Sequence, residues 1–164
     1  MTTRAQLKAN KANPDNLDIN TTVSDLENLV GYNMKRAYVV IHKDFREALG
    51  ENGISPPTFS ALSLVVTYPQ ISQSNLARML GIERSGLVSI IDGLEQQDYL
   101  ARVHSPSDRR VQALVPTAEG VKAYHAMLAT VQAHEDKLLA GLSSSEKSTL
   151  VKLLIKIRAA ESQA

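Results

Sequence analysis

Gln73-Ser-Asn-Leu-Ala-Arg-Met-Leu-Gly-Ile-Glu-Arg-Ser-Gly-Leu-Val-Ser-Ile-Ile-Asp-Gly-Leu94 decides the fold. Leu76 and Leu80 stand one helical turn apart. Ala77 is small where two helix backbones must come close, and Gly81 allows the positive φ of a sharp turn. Ile82 fills the corner. Leu87, Ile90, Ile91 and Leu94 then recur on one side of a second helix. A plain helical hairpin would not need small, glycine and apolar residues at these offsets together. The spacing therefore predicts two crossed helices, a helix-turn-helix.

The side of the second helix away from Leu87, Ile91 and Leu94 carries Ser85, Ser89, Asp92 and Gln96, with Arg84 at its start. Such a surface fits a major groove of about 12 Å. Arg84 can offer two donors to a guanine edge, Ser85 and Ser89 can meet bases or phosphates, and Gly86 permits close approach. Ser72, Gln73 and Ser74 open the first short helix, where backbone N–H groups and hydroxyls suit a phosphate. The competing reading for these serines is ordinary helix capping. Residues 72–117 hold five arginines (78, 84, 102, 109, 110) and five acids (83, 92, 95, 98, 108), so their net charge is zero. Affinity for nucleic acid must then come from placement rather than from bulk field.

Beyond this motif the period changes. Leu100 to Val103 and Val111 to Val115 read as two strands, and the polar residues 104–110 between them form a protruding tip. Asp108, Arg109 and Arg110 sit on that tip. An arginine there can enter a minor groove, with Asp108 holding its neighbour in place. Upstream, Leu26, Leu29, Val30, Met34, Ala37, Val40, Ile41, Phe45 and Leu49 mark a long helix, with Thr22 or Ser24 as its cap and Gly50 and Gly53 as its stop. Pro56-Pro57 open a second helix that ends at Tyr68-Pro69. Thr117 caps a helix running to about residue 140, and Ser143 with Glu146 has capping-box spacing for the last one. The end helices carry apolar stripes that most simply bury each other across a dimer axis; a monomeric bundle is the alternative. The fold class is mainly α with a small β-hairpin wing. Residues 1–21 form a mobile arm, 55–116 a winged helix-turn-helix lobe, and 22–54 with 117–162 a helical dimerisation region.

These stretches together resemble the MarR family of bacterial regulators. The likeness runs through Leu76-Ala-Arg-Met-Leu-Gly-Ile82, Leu94-Glu-Gln-Gln-Asp-Tyr-Leu100, Asp108-Arg-Arg110 and Thr117-Ala-Glu-Gly120. Two positions depart from the family pattern: Asp98 stands for a usual Gly and Pro116 for a usual Leu. The resemblance implies a homodimer on a palindromic double-stranded DNA operator, with residues 84–97 reading the groove and Arg109 as wing arginine. It also implies a ligand pocket bordered by the first, second and fifth helices, where Tyr32, Arg36, Tyr38, His42, Phe59, Tyr124 and Met127 lie. Core packing is the rival role for each of those aromatics and Met127. Leu29-Val-Gly-Tyr-Asn-Met-Lys-Arg-Ala37 is also similar to members that govern hydroxycinnamate breakdown and answer to its coenzyme A thioesters. The expected effector is a small aromatic acid or its thioester, released DNA being the response of a repressor.

Composition limits the alternatives. Hydrophobic residues make up 43% and aromatics 4%, which suits a helical core of aliphatic side chains. There is no Cys, so neither a disulfide nor a thiol switch is available, and a reducing cytoplasm fits. No apolar run is long enough to span or to target a membrane. Paired catalytic carboxylates, a Gly-rich phosphate loop and a nucleophile elbow are absent, which argues against an enzyme. A metal-responsive regulator is weakened because His125 and His134 lie nine apart on one helix, roughly 180° around it; no metal or other cofactor is expected. A ligand-independent architectural or protein-binding winged helix is the remaining rival.

Overall fold

The computed structural model describes residues 25–50, 54–104 and 112–160. The chain divides into two compact units, residues 1–39 and 40–164, with the boundary inside the first long helix. In the first unit a 3₁₀ helix, Asp25–Asn28, precedes α1, Val30–Leu49. The helix thus begins later than expected, with Glu27 in the 3₁₀ turn; the expected caps Thr22 and Ser24 lie outside the described residues. Asn33 ties the two pieces together, its Nδ2 donating to the carbonyls of Glu27 (2.7 Å) and Leu29 (3.0 Å).

In the second unit α2, Pro56–Thr67, starts on the Ser55 cap and stops at Tyr68, before Pro69. Its opening prolines lose nothing, because first-turn N–H groups have no partner within the helix. Then come β1 (Ile71–Ser72), α3 (Gln73–Leu80) and α4 (Arg84–Gln96). Gly81 adopts φ 65°, ψ 33° between these two helices, and its N–H reaches back to the carbonyls of Ala77 and Arg78. Strands β2, Leu100–His104, and β3, Gln112–Pro116, pair antiparallel with Leu100 opposite Pro116 and His104 opposite Gln112. Helices α5, Ala118–Leu138, and α6, Ser144–Ala160, complete the chain. The capping box at Ser143 and Glu146 forms as expected, and its hydrogen bonds hold the Glu146 carboxyl below the ordinary glutamate range.

The sheet has three strands, order β1-β3-β2, where the sequence reading expected two. Gln70 takes a left-handed φ of 71° and donates its N–H to the Leu114 carbonyl at 2.9 Å. That turn lays Ile71 beside Leu114. Two residues are too few to show a strand period, so this strand is invisible to pattern.

The core lies within the winged lobe. Leu62 and Val65 of α2, Leu76 of α3, Leu87 and Ile91 of α4, and Leu114 of β3 are completely buried. Leu94 and Leu100 close it. At the end of α4, Asp98 carries φ 57°, so an aspartate holds the left-handed position where the family pattern has glycine. The chain then meets α5 at close range. Thr117 N–H donates to the Tyr99 carbonyl at 3.1 Å, Thr117 Oγ1 donates to the Asp98 carbonyl, and Gly120 N–H donates to Thr117 Oγ1 at 2.9 Å. A Cβ on Gly120 would stand 1.8 Å from the Tyr99 carbonyl oxygen, a backbone atom that cannot swing aside. Gly120→Ala is therefore expected to cost roughly 3 kcal/mol of folding stability by overpacking. Urea denaturation measures this, and a loss below about 1 kcal/mol would mean that the two backbones part easily.

Candidate nucleic-acid interface

Helix α4 presents Arg84, Ser85, Gly86, Ser89 and Gln96 to solvent while Leu87, Ile91 and Leu94 are sealed beneath it. Its cap residue Glu83 makes no side-chain capping bond, so the first-turn N–H groups beside Arg84 face outward without one. No ion pair engages Arg84 among the described residues. Gly86 has nothing within 4 Å of where a Cβ would be, which leaves room for an approaching surface. The four residues placed at the start of this helix by sequence thus share one exposed region.

At α3 the outcome is mixed. Ser72 is half-buried and caps the helix, its Oγ accepting from Asn75 N–H at 3.2 Å. Gln73 is half-buried and Ser74 exposed. The capping reading of Ser72 therefore describes its hydroxyl. Asp108, Arg109 and Arg110 lie outside the described residues.

Asp92 has a different job from the groove-facing one expected of it. Arg102, on β2, bridges Asp92 and Glu95, one turn apart on α4. The Arg102 N–H also donates to Glu95 Oε1 at 3.2 Å. This clamp joins the second half of α4 to the first strand of the wing. The hydrogen bond to Asp92 leads in raising the Arg102 guanidinium above its ordinary range, partial burial opposes it, and the two carboxylate charges add to the rise. Helix periodicity could not reveal this contact, since it depends on how the strand folds back onto the helix.

The residues expected around an effector occur in both units. Within residues 1–39, Arg36 Nη1 donates to the Tyr32 hydroxyl at 3.0 Å, and Lys35 Nζ lies 5.7 Å from the Tyr38 ring centre. Within residues 40–164, Phe59 stacks on Tyr124 at 6.0 Å and meets Phe45 edge-on at 5.7 Å. Ser63 Oγ donates to the Tyr124 hydroxyl at 3.4 Å, and Met127 packs on the core margin. His42 lines an open groove of about 330 Å³ with Arg46, Gly50, Ile54, Ser55 and Pro56. In the sequence Phe45 is one member of an apolar stripe, with no sign of its ring contact to Phe59. His134 Nδ1 pairs with Asp44 Oδ1 at 3.3 Å, a contact invisible to sequence pattern because the partners are 90 residues apart.

A helix-turn-helix followed by a β-hairpin on one core defines a winged-helix DNA-binding protein. The family model for MarR matches residues 54–111. A Thauera aromatica protein named for transcriptional regulation of the hcr operon is 27% identical over 159 residues, 96% of each chain. The transcriptional repressor CouR bound to a 23-mer DNA duplex is 32% identical and superposes with a TM-score of 0.78, over 84% of this chain and 97% of that one. CouR bound to p-coumaroyl-CoA is 29% identical with a TM-score of 0.72, over 84% and 97%. The chain belongs to the MarR family and is a transcription regulator with a DNA-binding winged helix. Among the described residues no helix is long and apolar enough to cross a membrane.

Arg102→Met tests the clamp. It strands Asp92 and Glu95, and a stability loss of about 1 kcal/mol is expected, kept small because both carboxylates are more than a third exposed to screening water. DNA affinity should fall with it, although Arg102 itself touches no DNA in this scheme. A variant with unaltered urea midpoint and affinity would show that the helix holds its place without the clamp.

Proposed function

We propose that this protein is a repressor that holds a palindromic operator as a homodimer and releases it on binding an aromatic acyl-coenzyme A thioester. What carries this is the outer side of α4, where Arg84, Ser85, Gly86 and Ser89 stand exposed over a sealed core. In this reading Arg84 addresses a guanine edge, and Ser85, Ser89, Ser74 and the first turn of α3 take bases or phosphates. Arg109, anchored by Asp108 and aided by Arg110, enters the minor groove. Residues 55–116 act as the DNA-binding lobe. Residues 22–54 and 117–162 serve dimerisation, with 1–21 as an arm.

Support for a dimer comes from apolar side chains left in water. On α6, Leu150, Val151, Leu153, Leu154, Ile155 and Ile157 are all exposed, and none of the helix's residues of described burial is buried. A helix of 17 residues with that surface is unstable alone and needs a partner face. A second copy supplies one, by two-fold symmetry. Support for the effector comes from CouR, which binds p-coumaroyl-CoA. Phe59 and Tyr124, stacked on each other, are the residues proposed to respond to it.

Binding to duplexes from the DNA upstream of the protein's own gene, measured by fluorescence anisotropy with p-coumaroyl-CoA and with free p-coumarate, tests the reading. Release by the thioester and not by the acid is expected. Binding indifferent to both would remove this effector class. Light scattering should give twice 17.9 kDa for the parent and for Arg109→Ala alike. That variant should bind the duplex at least about tenfold more weakly. A stable monomer would overturn the dimer, and undiminished affinity would take Arg109 out of the contact.

A further inference from the structure

Val88 is the apolar side chain of α4 that the core does not take. Leu87, Ile91 and Leu94 are buried and Ile90 packs against the core, whereas Val88 is 41% exposed and belongs to no packed cluster. A β-branched residue is a poor choice for an exposed helix position, so local propensity does not account for it. Single exposed apolar residues are common, and surroundings decide whether one has a use. Here Val88 follows Arg84 by four residues and Ser85 by three, which puts all three within neighbouring turns. It lies in the N-terminal half of the helix, the half that reaches base edges when such a helix docks. Its exposed neighbours Ser85 and Ser89 are small, and the space beside Gly86 is open, so nothing bulky holds a flat surface away.

A major groove offers one apolar feature on its base edges, the 5-methyl group of thymine. We propose that Val88 reads a thymine methyl in each half of the operator, with Arg84 on the polar edges beside it. Val88's role rests on the DNA-binding reading above and deepens it, naming a base where that reading names only a groove. Burying one methyl against Val88 corresponds to about fourfold in affinity.

The full-length protein is used to select short duplexes from a random pool. The enriched sequence is then remade with each thymine replaced in turn by uracil, a change that removes only the methyl. One thymine per half-site should stand out, with uracil there weakening binding about fourfold. Val88→Ala should keep the parent's circular dichroism and a melting temperature close to it, since the side chain lies outside the buried core, and should bind thymine and uracil duplexes equally. Tolerance of uracil at every position would overturn the proposal, as would an unchanged uracil penalty in Val88→Ala. In either case the selected duplex is still bound and the DNA-binding reading stands. Should no sequence enrich above the pool, the operator reading fails and takes this one with it.

Discussion

Leu87, Ile91 and Leu94 leave α4 no freedom to roll about its axis. All three are at most 1% exposed. Turning the helix by one residue, about 100°, would lift leucines into water and press serines into an aliphatic core. Each large side chain so exposed costs about 2 kcal/mol, before any penalty for the buried hydroxyls. Roll is thus fixed by burial, and the outward set Arg84, Ser85, Ser89 and Gln96 follows from it. Burial does not fix the helix's tilt toward the wing. Gly81 does that at one end through its left-handed turn, and Arg102 at the other through Asp92 and Glu95.

The helix-turn-helix was legible in the sequence because its constraints are local. A leucine pair, a small residue, a glycine and an aliphatic repeat all fall within 22 residues, and each answers to a steric demand. The caps at Thr117 and Ser143 were legible for the same reason. What escaped pattern depends on chain segments meeting from afar. β1 exists only because Gln70 turns toward Leu114. Asp92 looked like one more outward polar residue until β2 brought Arg102 across it. The effector residues were the least legible. A stacked Phe59–Tyr124 pair and a core aromatic look alike in sequence, since both need only a hydrophobic ring at helical spacing.

The clamp also bears on how the charge of the lobe is distributed. The zero sum over residues 72–117 treats all five arginines and five acids as equal. Arg102 is committed internally to two of those acids. The three together carry −1 (one minus two), which offsets the +1 left among the others (four minus three), so the total stays zero. A lobe of this kind attracts DNA weakly at long range and must discriminate at contact, where a guanidinium or a methyl is matched to a particular edge.

The junction of Tyr99, Thr117 and Gly120 has a mechanical meaning as well. With the α5 backbone wedged against the first residues of the wing, there is no soft side chain between them to absorb displacement. The start of α5 and the base of the hairpin must swing as a single rigid corner. A pivot at the start of α5 is passed directly to Tyr99 and the strand that follows, because close-packed backbone has no slack to take it up.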